Sequence, residues 1–77
     1  MTTVRYFAAA EEATGRGEET RSETSLDALR AALVTDHPGL RGILPRCAVL
    51  VDGTRHDDDV ALIGSETIDV LPPFAGG

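Results

Sequence analysis

The chain has 77 residues, a net charge of −6, one cysteine (Cys47) and no lysine, because all seven cationic side chains are arginines. A single domain of this length has a small core with little room for an internal active-site cavity, which favours a module or subunit over a self-sufficient enzyme. The negative net charge disfavours nucleic acid as a partner. No apolar run approaches the ~20 residues that a membrane-spanning helix needs. A single cysteine, together with a start that does not resemble a signal peptide, predicts location in the cytoplasm.

The N-terminal quarter predicts a strand, a short helix and a second strand. Alternating side chains over residues 3–8 predict the first strand, with Phe7 facing away from the core. An Ala/Glu-rich stretch over residues 8–14 predicts a helical turn that ends at Gly15. Residues 18–23 are polar and predict an edge strand. The core-facing side chains of the first strand are predicted to be Val4, Tyr6 and Ala8.

The main helix is predicted over residues 25–35. Thr24 or Ser25 can cap it, and Asp27 stands three residues after Thr24, as in a capping box. One apolar stripe at helical spacing supports the helix and predicts the face that packs on the core. The members of this stripe are Leu26, Leu29 and Leu33. Residues 40–45 predict an irregular connection.

The second half predicts a hairpin and a helical turn. The apolar run over residues 47–51 is typical of a central strand, and Asp52-Gly53 is a strong signal for a tight turn. Residues 54–56 should therefore return as a short hairpin partner. Asp59 could cap a single helical turn over residues 60–63.

The last strand is predicted over residues 67–71. The predicted elements therefore form one mixed sheet with one main helix packed against it, which is an α+β architecture. The first and last strands are expected side by side at its centre. Phe7 and Leu71 then both lie away from the core and form an apolar patch of the kind that partners cover. Arg55 is a further candidate partner contact.

The residues after the last strand carry the most information about function. Pro72 and Pro73 end the strand, because proline cannot donate to a sheet ladder, and they stiffen the exit of the tail. Gly76 and Gly77 lack Cβ atoms, so a backbone at this point can pass a narrow channel. A terminal carboxylate on Gly77 can be adenylated by an ATP-using enzyme, and a sulfur nucleophile can then displace AMP and leave a thiocarboxylate.

These segments together resemble the MoaD/ThiS sulfur-carrier family, and most closely its molybdopterin synthase branch. The resemblance covers essentially the whole chain, and the ending Pro-Pro-x-x-Gly-Gly is its most specific part. One departure is Glu11, where family members often carry arginine. The matching segments are residues 4–9, Gly15, residues 24–29, residues 51–53 and residues 66–77.

The resemblance implies a ubiquitin-like β-grasp domain over residues 1–71 and a flexible tail over residues 72–77. A MoeB-like activating enzyme would use ATP to adenylate Gly77, and a sulfur donor system would supply the sulfur. The tail would then enter a MoaE-like large subunit, within a heterotetramer, and deliver sulfur to cyclic pyranopterin monophosphate. The chain itself would bind no cofactor, and the catalytic residues would lie on the large subunit. The residues expected to thread into the partner are Pro72, Pro73, Phe74, Ala75 and Gly76, of which Phe74 is also a candidate anchor.

Three other interpretations remain open. The same chemistry could serve thiamine, cysteine or secondary-metabolite biosynthesis, as in ThiS- or CysO-like carriers. The chain could be a ubiquitin-like modifier, although a chain without lysine offers no side-chain amine for chain formation. It could also be a binding module with an inert tail. Cys47 is expected to be a buried small hydrophobe, and Asp57, Asp58 and Asp59 a solvated loop without metal-site spacing.

Overall fold

The computed structural model describes residues 1–73, in which five strands form one mixed sheet. The strands are β1 (Thr2–Tyr6), β2 (Glu18–Arg21), β3 (Ala48–Val51), β4 (Thr54–Arg55) and β5 (Thr67–Leu71). Their order across the sheet is β2-β1-β5-β3-β4, so the first and last strands lie side by side, as predicted. β1 and β5 run parallel, whereas the other neighbouring strands run antiparallel. The carboxyl ends of β1 and β5 therefore meet at one edge of the sheet.

Helix packing on one face of this sheet confirms the α+β architecture. The short helix α1 (Ala9–Thr14) connects β1 to β2, and the main helix α2 (Leu26–Asp36) follows β2. Two 3₁₀ turns, Pro38–Leu40 and Leu44–Arg46, overlap the two ends of the connection predicted as irregular over residues 40–45. Alternate side chains of the strands share one core with the leucine stripe of α2. Its principal members are Val4, Tyr6, Leu26, Leu29, Leu33, Val49, Val51, Ile68 and Val70.

The first strand follows the predicted alternation only as far as Tyr6, which is buried. The prediction that Ala8 faces the core is wrong, because Ala8 lies beyond the strand and is exposed. Its φ is 51°, a positive value that few residues with a Cβ adopt. This turn directs the chain from β1 into α1, and α1 ends at Gly15 in a left-handed cap, as the sequence predicts.

The cap of α2 differs in part from its prediction. Ser25 is the N-cap, and its Oγ accepts a hydrogen bond of 3.1 Å from the backbone N–H of Ala28. The predicted capping box between Thr24 and Asp27 is wrong. The N–H of Asp27 instead donates to Oδ1 of Asp59 at 2.9 Å, so a carboxylate from a distant loop satisfies this exposed donor.

The predicted helical turn over residues 60–63 is also wrong. Ala61 forms an antiparallel bridge with Ser25, and the N–H of Leu62 donates to the carbonyl of Thr24 at 2.9 Å. These long-range bonds hold the segment extended beside the start of α2. If residues 60–63 formed a helical turn instead, the backbone groups at the start of α2 would lose these hydrogen-bond partners.

The hairpin forms as predicted, with small differences in its strands. Asp52 and Gly53 have φ values of 48° and 87°, which suit the tight turn that this dipeptide favours. β4 is one residue shorter than predicted. β3 has strands on both sides, but Ala48 and Leu50 are only half-buried, so its continuous apolar run does not mean burial on both faces.

Among the buried residues of the described range 1–73, Glu66 is the one with a charged side chain, and it connects the segment before β5 to the start of β1. Its carboxylate accepts hydrogen bonds from the N–H groups of Ile63 (2.7 Å) and Gly64 (2.9 Å) and from the hydroxyl of Thr2 (3.3 Å). The bond from Ile63 lowers the pKa of Glu66 most, and burial opposes it. The remaining donors bring the pKa to about 2.

Replacing Ser25 by alanine removes the side-chain acceptor at the start of α2. We expect Ser25→Ala to lower the free energy of unfolding by about 1 kcal/mol, measured by urea denaturation. Thr24→Ala is the matched control, and we expect it to change stability little because the exposed Thr24 does not cap the helix. A larger loss for Thr24→Ala would contradict the assignment of the cap.

Glu66 should make the protein sensitive to acid. Because its pKa is lower in the folded chain than the ordinary value of 4.5, its contribution to stability is complete above that value. The contribution is lost as the pH falls from 4.5 toward 2. We expect Glu66→Gln to be less stable than the wild type at neutral pH but to lose less stability across this window. Parallel profiles of unfolding free energy against pH would show that the carboxylate does not act in this way.

Candidate functional site

The face of the sheet opposite α2, called here the outer face, carries the side chains that do not enter the core. Successive side chains of a strand point to opposite faces, so Arg5 of β1 lies on the outer face with Asp69 and Leu71 of β5. Strand pairing places further residues on this face, namely Thr3, Glu18, Thr20, Ala48, Leu50, Arg55 and Thr67.

Phe7 and Leu71 lie at the edge where β1 and β5 both end. Phe7 directly follows β1, its N–H donates to the carbonyl of Val70 at 3.3 Å, and its side chain is 39% exposed. Leu71 is half-buried at the end of β5. Pro72 is half-buried and Pro73 exposed, so the chain leaves the sheet beside these two apolar side chains. We call Leu71, Pro72 and Pro73 the tail root.

An ion pair next to Phe7 was not predicted from the sequence. Arg5 and Asp69 are direct partners in the parallel β1–β5 register. Nε of Arg5 lies 2.6 Å from Oδ1 of Asp69, and its second guanidinium nitrogen lies 2.9 Å from Oδ2. The hydrogen bond to Asp69 raises the pKa of Arg5. The guanidinium carbon also lies 5.8 Å from the centre of the Phe7 ring, which places the ring on the outer face.

Arg55 lies on the same face but away from the tail root. It pairs in register with Leu50, which in turn pairs with Asp69, so one row of residues crosses β4, β3 and β5. The side chain of Arg55 is exposed, and its Nε lies 3.1 Å from Oδ1 of Asp57. A partner that covers the tail root can therefore contact Arg55 only if it also extends across the outer face as far as β4.

Four predicted site residues lie outside the described part of the chain. Gly77 is predicted to carry the chemistry, and the residues predicted to thread into the partner are Phe74, Ala75 and Gly76.

Cys47 has the surroundings of a structural cysteine rather than a reactive one. It is buried, its thiol donates to the carbonyl of Ile43 at 3.2 Å, and burial raises the pKa of the thiol. A raised pKa reduces the thiolate fraction, and the thiolate is the nucleophile. Cys47 also contributes to an open, mainly apolar groove of about 670 Å³ between α2 and the second 3₁₀ turn, together with Val34 and Leu44.

A partly buried polar cluster joins β2 to the end of α2, and it too was not predicted. Tyr6 donates its hydroxyl to Glu19 at 2.5 Å, and Nε2 of His37 lies 2.7 Å from the same carboxylate oxygen. Arg21 contacts Glu19 at 3.3 Å and Asp36 at 2.7 Å. Burial acts to raise the pKa of Glu19, but the hydrogen bonds from Tyr6, His37 and Arg21 outweigh it and lower the pKa. Since these groups satisfy one another, the cluster acts to hold the edge strand.

The remaining candidates from the sequence have separate structural roles. Asp57 pairs with Arg55 and Asp59 caps α2, while Glu11 and Glu12 are exposed on α1. Within residues 1–73, no three His, Cys, Asp or Glu side chains are grouped so that they could hold a metal ion. Among the helices of the same residues, none has the length and apolar character that spanning a bilayer requires.

Solved structures show which fold this is. The chain matches the small archaeal modifier protein 1 of Methanosarcina acetivorans with a TM-score of 0.85 and 23% identity, over 99% of this chain and 95% of that one. It matches SAMP1 of Haloferax volcanii with a TM-score of 0.81 and 21% identity, over 99% and 98% of the two chains. These matches confirm the predicted ubiquitin-like β-grasp fold.

A third structure and a family comparison extend the likeness beyond the fold. A protein–protein complex of subunits 1 and 2 of the molybdopterin-converting factor from Helicobacter pylori 26695 contains a chain that matches with a TM-score of 0.76 and 27% identity, over 99% of this chain and 97% of that one. The comparison with curated proteins gave no match. The sequence model of the ThiS family matches residues 4–77, which include the whole sheet beyond Thr3, the tail root and the Gly-Gly ending. The chain therefore belongs to the ThiS family.

Proposed function

We propose that this chain is a sulfur carrier and the small subunit of a molybdopterin synthase, and that it acts through a thiocarboxylate on Gly77. The observation that carries the proposal is the extent of the ThiS-family match, which runs through the Pro-Pro-x-x-Gly-Gly ending to residue 77. The match is to a family sequence model, and it therefore concerns the residues of the ending as well as the fold. The family match includes the segment on which the proposed chemistry takes place.

The proposed chemistry needs no side chain of the β-grasp domain. The carboxylate of Gly77 attacks the α-phosphate of ATP, and pyrophosphate leaves. The acyl-adenylate then has a good leaving group, so a hydrosulfide ion attacks its carbonyl carbon, AMP departs, and a thiocarboxylate remains. A MoeB-like activating enzyme binds the ATP, and a separate donor system supplies the sulfur in the cytoplasm. The raised pKa of the buried Cys47 thiol is consistent with a sulfur source outside this chain.

The contribution of the domain is to present the tail from a fixed point. β5 pairs with β1 on one side and β3 on the other, so its backbone is held along both edges. Pro72 and Pro73 then restrict the first two φ angles after the strand. A tail that starts from such a rigid root loses less conformational entropy when it enters a partner.

The proposed partner for sulfur delivery is a MoaE-like large subunit, in a heterotetramer with two copies of each subunit. The Helicobacter pylori relative was solved as a complex of subunits 1 and 2, which supports a partner of this kind. We place the contact at Phe7 and Leu71, with Phe74 as an anchor in the partner and Arg55 at the periphery. The large subunit supplies the catalytic residues, and the sulfur passes to cyclic pyranopterin monophosphate. With a net charge of −6, the chain favours partners with basic surfaces.

A second candidate keeps the carrier chemistry and changes the acceptor. The family match is to the ThiS family as a whole, so it favours a carrier without selecting thiamine, cysteine, a secondary metabolite or molybdopterin as the product. Capture of the partner from the native cell separates these candidates. Recovery of a molybdopterin synthase large subunit supports the first, and recovery of another acceptor enzyme supports the second.

The full chain should gain sulfur at Gly77 when it is incubated with a cognate activating enzyme, ATP and a sulfur donor. We expect intact-mass spectrometry to show replacement of one oxygen by sulfur, and fragmentation to place the change at Gly77. A variant without Gly77 should remain folded, because the core lies within residues 4–70, and should give no sulfur transfer. An unchanged wild-type mass, with an enzyme that activates another carrier, would contradict the sulfur-carrier proposal.

The proposed docking site predicts a specific loss of affinity for Phe7→Asp. A charge in place of the half-exposed ring should weaken binding to the large subunit by about tenfold or more, as at other interface anchors. ATP-dependent activation should fall less. Ala28→Asp is the matched control, since it adds the same charge at an exposed position on α2, which packs on the other face of the sheet. Equal affinities for Phe7→Asp and the wild type in titration calorimetry would show that the docking site is wrong.

A further inference from the structure

The Arg5–Asp69 pair occupies the middle of the outer face. Arg5 on β1 and Asp69 on β5 are register partners, and Asp69 is flanked on β3 by Leu50. On the other side, Arg5 is the register partner of Glu18 on β2. The side chain of Arg5 is 47% exposed and that of Asp69 is 13% exposed. A partner that covers this face therefore removes more water from Arg5 than from Asp69.

The geometry of the pair differs from that of an ordinary surface ion pair. Two nitrogens of one guanidinium contact the two oxygens of one carboxylate, at 2.6 and 2.9 Å. This two-point arrangement fixes orientation as well as distance. Both carboxylate oxygens of Asp69 are thus already bonded to Arg5, and the two charges neutralise each other.

The pair also touches the aromatic ring on which the proposed docking depends. The guanidinium carbon of Arg5 lies 5.8 Å from the centre of the Phe7 ring, within the range of a cation–π contact. Arg5 is therefore held by Asp69 and lies against Phe7. The N–H of Phe7 donates to the carbonyl of Val70, which holds its backbone beside β5, and the contact with Arg5 restrains its ring.

Burial of a single charge at an interface is costly, because the charge loses water and gains no partner. A large subunit that covers Phe7 would also cover the adjacent Arg5. If Arg5 had no counterion of its own, the large subunit would have to supply an acidic residue. Asp69 already fills that role, so the matching surface of the large subunit needs no charge at this point.

We propose that Arg5 and Asp69 form a self-neutralised positioning pair that holds the Phe7 ring for docking, and that an uncharged, mainly apolar patch of the large subunit covers the pair. This inference rests on the proposed function, because it takes the large subunit as the partner. Neither residue contacts the reacting atoms of the sulfur transfer. They are positioning residues that act through Phe7.

A double-mutant cycle tests the pair in the full-length chain. Arg5→Gln, Asp69→Asn and the double variant are titrated against the purified large subunit of molybdopterin synthase from the same organism. We expect each single variant to bind about tenfold more weakly or worse, because it leaves one unpaired charge under the partner. The double variant should recover to within about threefold of the wild type, with the cation–π contact as the remaining loss.

Two further measurements separate positioning from stability. If the pair only stabilises the fold, the two substitutions will be coupled in the free energy of unfolding but not in the binding affinity. Urea denaturation is therefore measured for the wild type, both single variants and the double variant. Arg5→Lys keeps the charge but lacks the planar two-point contact. We expect it to bind more tightly than Arg5→Gln and more weakly than the wild type, which provides a readout even if Arg5→Gln does not fold.

The possible failures are distinguishable. If the wild type does not bind the large subunit, the proposed function is overturned, and this inference with it. If Phe7→Asp weakens binding but the losses of Arg5→Gln and Asp69→Asn simply add in the double variant, the partner contacts each charge separately and only the positioning pair is wrong. Single variants that bind like the wild type would likewise show that the partner does not cover the pair.

Discussion

The parallel pairing of β1 with β5 is the constraint on which the rest of this structure depends. Parallel strands end at the same edge of a sheet, so this pairing brings Phe7, at the end of β1, beside the tail root at the end of β5. It also sets the register in which Arg5 meets Asp69 across the outer face. The position of the tail root, the apolar side chain of Phe7 beside it and the adjacent Arg5–Asp69 ion pair all follow from one strand pairing.

The two faces of the sheet have different roles, since one packs against the core and the other is exposed. One face packs on the leucine stripe of α2, and the two together supply most of the core, which a chain of this length needs for stability. The outer face is therefore available to partners. Polar contacts hold the periphery: the Tyr6–Glu19–His37 cluster secures the edge strand, and Glu66 secures the segment before β5.

The proposed carrier role and the geometry of the outer face support each other through electrostatics. The net charge of −6 acts at long range and can steer the chain toward basic partner surfaces. At short range, the outer face beside the tail root presents an aromatic ring and a neutralised ion pair, which a partner can cover without placing a matching charge there. The net charge can thus attract a partner at a distance, while the contact at the centre of the interface needs no matching charge. This combination suits a carrier that must associate with several enzymes and leave each of them again.

The sequence by itself determined the features that depend on neighbouring residues: the order of the elements, the stripe of α2, the Asp52-Gly53 turn and the outward phase of Phe7. These features follow from local periodicity and turn chemistry, which a single chain displays directly. Only the tertiary structure decided the Arg5–Asp69 pair, whose members are 64 positions apart, and the extended path of residues 60–63 beside α2. Such contacts depend on strand register and on hydrogen-bond partners from distant segments, and neither can be read from local sequence because both arise when the chain folds.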